Sequence, residues 1–147
     1  MEFNIYQTIA GNLVSSAVKL LEKTYISGKK GIFFSPITER MELVNKALWT
    51  FSTNSFIPHG DKKIGFEDQQ PIYFTDNFVN PNGASVLVLV DTFDLLNKSY
   101  ENFEKIILIF EDVSKIDEVN ELYRDLKADG KHVNYWKQSQ KGWEKLS

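Results

Sequence analysis

Cysteine is absent from this chain of 147 residues. That excludes disulfides, thiolate metal sites and thiol catalysis, and it fits a reducing compartment. Histidine is nearly absent too. His59 and His132 are the only two, far apart and without HExxH-type spacing, so a zinc site would lack its nitrogen ligands. No apolar run approaches the roughly 20 residues that cross a bilayer. The start, Met-Glu-Phe-Asn-Ile, has neither the basic flank nor the apolar core of a signal peptide. A soluble, cytoplasmic protein is expected. A basic surplus is missing as well: net charge is −3, whereas domains that grip nucleic acid carry extra Lys and Arg for phosphate. Direct, tight nucleic-acid binding is disfavoured, with room left only for a local basic patch.

What is present is ordinary globular material, 42% hydrophobic and 25% charged, with 14% aromatics. The length suits one core. Glu2–Tyr6 reads as a short first strand. Val14, Ala17, Val18, Leu21 and Tyr25 then recur on one helix face, with Gly28 as a stop. Gly31–Phe34 reads as a buried strand, and Met41, Val44, Ala47 and Leu48 mark a second helix. Pro58–Gln70 reads as a polar surface loop, Pro71–Phe74 as a strand and Asn77–Gly83 as a turn. Ser85–Val90 and Lys105–Phe110 are unbroken apolar runs of the kind found in central parallel strands. Ile116, Val119, Leu122, Tyr123 and Leu126 give a last helix ending at Gly130, followed by an edge strand at His132–Tyr135 and a short tail. Strands alternating with helices imply a single three-layer α/β/α domain over residues 1–147. Its central sheet would be mostly parallel, with about five strands, Rossmann-like in layout.

Such a fold carries phosphate on a glycine-rich first βα turn. Here that turn is Tyr6-Gln7-Thr8-Ile9-Ala10-Gly11-Asn12, with a single glycine, and Gly60-Asp61-Lys62-Lys63 lacks the rest of a Walker pattern. Asp91 and Asp112 follow the two strongest strands, where catalytic acids of α/β enzymes sit. Carboxylates there more often cap helices and make turns. Ser35 has no nucleophile-elbow setting. An enzyme reading, a small hydrolase or nucleotide-binding protein using Asp91 and Asp112, is therefore the alternative. No cofactor or metal is expected.

Two surfaces point to a binding role. Trp49 follows Leu48, so it lies about 100° round the second helix from a core position. With Phe51 and Phe56 it is either at the rim of the core or an exposed anchor of the type that dominates interfaces. On the last helix Tyr123, Arg124 and Lys127 put an aromatic beside two cations. That is either a seat for an acidic peptide with an apolar end or a solvated face paired with Glu121, Asp125 and Asp129.

Around the first of these surfaces the chain reads Ala47-Leu48-Trp49-Thr50-Phe51-Ser52-Thr53-Asn54-Ser55-Phe56-Ile57-Pro58-His59-Gly60. This segment resembles the ALW…SF-(hydrophobic)-PHG signature of the chi-subunit family of bacterial DNA polymerase III. The likeness extends over nearly the whole chain: the aromatic first strand, the helix ending in Ser27-Gly28-Lys29-Lys30, the strand opened by Pro71-Ile72, the Val86–Val90 run, and the closing helix with Tyr123-Arg124 and Lys127 before Gly130. The resemblance implies a non-catalytic adaptor that pairs with the psi subunit, and so with the clamp loader. It also implies binding of the acidic C-terminal tail of single-stranded DNA-binding protein, with DNA met only indirectly. It assigns Trp49 and Phe56, with Phe51 between them, to the psi surface, which a damage-response helicase can also use. Tyr123, Arg124 and Lys127 go to the tail. His59 becomes part of a Pro58–Gly60 turn. Ile116 and Asn120 stand on faces where some relatives carry further cations.

Overall fold

The computed structural model describes residues 2–51, 59–61, 71–75, 83–90, 92, 103–111 and 113–146, without the side chains of 49–51 and 59–61. Its elements run β1 (Glu2–Gln7), α1 (Leu13–Ile26), β2 (Gly31–Phe34), α2 (Thr38–Phe51), β3 (His59–Asp61), β4 (Ile72–Thr75), β5 (Val86–Val90), β6 (Lys105–Phe110), α3 (Ile116–Ala128), β7 (His132–Ser139) and β8 (Gly142–Lys145). They build one sheet in the order β3-β4-β2-β5-β6-β1-β7-β8. Every pairing is parallel except the antiparallel β7–β8 hairpin.

Residue alternation sorts the core onto two faces. Phe3, Ile5, Leu87, Leu89, Ile106 and Leu108 share one cluster with Val119 and Leu126 of α3. Phe33, Phe74, Val86, Val88, Ile107 and Ile109 share the other with Leu13, Ala17, Val18 and Leu21 of α1 and Val44 and Leu48 of α2. Because β5 and β6 are covered on both faces, they need apolar residues at nearly every position, and they have them. The expected three-layer α/β arrangement with a mostly parallel sheet is therefore the one found.

α1 and α3 stop where glycine permits. Gly28 takes φ +80°, its N–H donating to the Tyr25 carbonyl at 3.0 Å while Lys29 N–H reaches the Thr24 carbonyl at 3.2 Å. Gly130, at φ +76°, repeats the device with bonds to Lys127 and from Lys131 to Leu126. Both are left-handed C-caps that satisfy the last carbonyls of a helix.

The sheet is wider than five strands because its rims use short or polar strands. His59–Asp61, expected within a loop and a turn, pairs with Ile72–Phe74 as β3. β7 is not an edge. It lies between β1 and β8 and runs on to Ser139, and the expected tail forms β8. At this end Asn134 donates its side-chain amide to Asn4 Oδ1 at 3.0 Å and to Glu2 Oε1 at 3.2 Å, so the buried polar pair is satisfied.

Candidate functional site

The sheet's topological switch point lies between β1 and β6, whose following helices go to opposite faces. Doubly wound folds bind ligands in that crevice. Here the chain's own side chains bond to the backbone beside it. Glu111, just past β6, accepts the Gly11 N–H on Oε2 at 3.1 Å and meets Arg40 through Oε1 at 3.5 Å. Gln138 Oε1 accepts from Ile9 N–H at 3.2 Å and from Asn12 Nδ2 at 3.4 Å. A carboxylate thus stands near the start of α1, where a nucleotide phosphate would sit in such a fold. Ser35 is buried, and its hydroxyl is used within a local turn, accepting from Ile37 N–H at 3.2 Å. Asp91 and Asp112 lie outside the described residues. Among the described residues no group of three or more His, Asp or Glu is placed to hold a metal ion.

The last helix offers a different geometry. Val119 and Leu126 pin α3 to the sheet, Asp117 and Glu118 suit the positive end of its dipole, and Lys127 suits the negative end. The stripe Ile116, Asn120, Tyr123 and Lys127 follows at intervals of four, three and four residues, on one side of the helix. The first three line a cleft of about 310 Å³ between α3 and β7. Its other wall is Tyr135 and Lys137 of β7, with Gln7 at the end of β1 and Leu146 beyond β8.

The aromatic rings set this shape. Tyr123 meets Tyr135 edge to face, with centroids 6.1 Å apart and planes at 74°. The Tyr135 hydroxyl donates to Gln7 Oε1 at 2.9 Å, and burial holds its pKa above the ordinary phenol value. Lys127 Nζ lies 5.6 Å from the centre of the Tyr123 ring, within cation–π range. Lys137 adds a second cation on the opposite wall, with Glu144 across the hairpin from it. The result is an apolar seat between two ammonium groups. Arg124, also expected in this site, is exposed and flanks the cleft without lining it.

Of the expected site residues, then, Tyr123 and Lys127 come together at the cleft. Trp49 and Phe51 lie in the last turn of α2, with side chains outside the described set, and Phe56 lies outside it entirely. The contributions of Gln7, Tyr135, Lys137 and Leu146 had no counterpart in sequence reasoning. Three separate stretches of chain supply them, and no periodicity links those stretches.

The family model for "DNA polymerase III chi subunit, HolC" matches residues 2–134. The chain belongs to the chi-subunit family of DNA polymerase III. A relative described as "Probable DNA polymerase III subunit chi", from Rickettsia prowazekii (strain Madrid E), is 37% identical over 123 residues, covering 80% of this chain and 74% of that protein. Membership of the chi family places the chain in DNA replication.

Proposed function

We propose that this chi-family chain is a non-catalytic cytoplasmic adaptor, acting as one domain, that joins the clamp loader to coated single-stranded template. One surface engages psi, or a helicase using the same contacts, through Trp49, Phe51 and Phe56. The other receives the acidic C-terminal tail of single-stranded DNA-binding protein. The observation that carries the second half is the cleft between α3 and β7. Its seat of Ile116, Tyr123 and Tyr135 offers apolar surface to a side chain, and Lys127 and Lys137 flank it. An acidic peptide ending in a large apolar residue satisfies both parts at once, with charge steering the approach and burial holding the end. Arg124 extends the positive rim. Ile116 and Asn120, where some relatives have cations, add to the seat rather than to the charge.

Titration of the protein with an acidic, Phe-terminated peptide tests this assignment. Binding is expected at low salt and should weaken as salt screens the lysines. Lys127→Ala or Arg124→Ala should lower affinity several-fold with the melting temperature unchanged. No binding at low salt removes the tail from the proposal. For the other surface, Trp49→Ala bait should lose its clamp-loader or helicase partner from native lysate, and undiminished co-purification would refute that role.

A further inference from the structure

The opposite face of the same sheet end carries a second aromatic cluster. Tyr6 and Trp136, partners across β1 and β7, lie nearly parallel, with centroids 6.4 Å apart and planes at 9°. Trp143 of β8 meets Tyr6 edge-on at 5.3 Å and 84°, and 39% of it remains exposed. Lys145 Nζ stands 5.9 Å from the centre of the Trp136 ring. The Trp136 indole N–H is buried without an acceptor among the described residues, a cost a purely structural aromatic cluster would avoid. Two of the chain's three tryptophans are gathered here.

Tyr6 also forms a wall of a cavity of about 350 Å³ between the last turns of α1 and the starts of β1 and β6, with Lys23, Lys29 and Lys105 around it. The two carboxylates at this cavity are engaged: Glu104 pairs with Lys29, and Glu2 accepts from Asn134 at 3.2 Å. Positive charge is gathered in the same stretch of chain, shared between the two faces, with Lys137 turned to the α3 cleft. Residues 131–147 hold four lysines against the single Glu144, a balance of +3 in a protein whose net charge is −3. The acidic whole therefore conceals a basic end.

Parallel aromatic rings flanked by ammonium groups are the elements by which proteins hold single-stranded nucleic acid, with bases stacking on rings and phosphates on lysines. We infer that the face formed by Tyr6, Trp136, Trp143 and Lys145 binds single-stranded nucleic acid directly, with Lys23 and Lys105 continuing the phosphate track. Trp143 offers an exposed ring for a base to stack on, and the cavity beside Tyr6 leaves room for a further base. The face lies across the sheet from the α3 cleft, so the inference does not depend on the peptide assignment. It builds on the local basic patch for which the net-charge reading left room, and departs from the indirect contact with DNA that the family resemblance implies.

Anisotropy of a labelled oligothymidylate, titrated with the full chain, is the test. Binding is expected at low salt, with log K falling against log salt at a slope of about −2 for three lysine–phosphate contacts. Trp143→Ala should weaken it about tenfold, and Lys145→Gln should make the slope shallower by about 0.7. Thermal melting of both variants establishes that they remain folded, and Lys145→Gln touches no packed ring contact but its own. The inference is overturned if the oligonucleotide fails to bind at low salt or binds Trp143→Ala as well as the parent. It is also overturned if Trp143→Ala loses the acidic peptide and not the oligonucleotide, because the face then belongs to a protein tail.

Discussion

The middle of the sheet and its β7–β8 end are made of the same kind of chain and do opposite work. β5 and β6 are buried almost throughout, flanked by helices on both faces. β7 is buried over 133–135 and then alternates partly exposed with exposed residues to its end, and β8 is exposed along its length. Stability is concentrated where no side chain is available to a partner. The two surfaces proposed for binding lie on opposite faces of β7, one in the cleft against α3 and the other beside β8. This separation lets contacts at the hairpin change without touching the core.

One substitution made in both regions gives the largest expected contrast. Leu108→Ala, at a fully buried site in β6, should cost about 2–5 kcal/mol. Leu146→Ala, at a site that is 50% exposed, should cost less than about 1 kcal/mol while lowering affinity for an acidic peptide. Urea denaturation read against peptide titration checks the pair, and equal losses of stability would break the contrast.

A smaller effect is expected at Gly130, the hinge between α3 and β7. Its φ of +76° disfavours a Cβ, so Gly130→Ala should destabilise by about 1 kcal/mol. That corresponds to a melting point lower by about 2–4 °C, readable by calorimetry.

The smallest effect sharpens the comparison through pH. Burial raises the Tyr135 pKa, and burial followed by the nearby Glu2 charge raises that of Tyr6. Each folded-state value lies above the unfolded phenol value of about 10, so the folded state keeps its protons longer. Their contribution is fully present below about pH 10 and is lost as pH rises through the raised values. Denaturation at about pH 9 and about pH 11 should show the loss, and Tyr135→Phe should reduce it.

The two regions also differ in how far they could be read from sequence. Val86–Val90 and Lys105–Phe110 announce themselves because burial on both faces demands continuous apolar runs. α1 and α3 announce themselves through one apolar stripe and a terminal glycine. β3, the second half of β7 and β8 do not, because a strand at the sheet's end may hold Asp61, Lys137, Gln138 or Glu144 without penalty, and polar residues leave no period to count. The cleft is legible in part. Tyr123 and Lys127 follow from helical spacing, whereas Tyr135, Lys137 and Gln7 join them only through sheet order, which places β1 beside β7 across more than a hundred residues of chain. Net charge is similarly blind to position, since a sum over the chain hides four lysines gathered within residues 131–147.

The antiparallel partnering of β8 has a further consequence, for behaviour at high concentration. A strand with a free side invites another chain to add to it, and proteins discourage this with brevity or with lysine on the exposed strand. The two margins of this sheet use these remedies differently. β3 is only three residues long, too little to template a lasting pairing. β8 is Gly142-Trp143-Glu144-Lys145, short and charged at its end, with Lys141 in the turn before it. Lys145, besides its place beside the Trp136 ring, is thus the kind of residue that discourages copies of the molecule from pairing edge to edge.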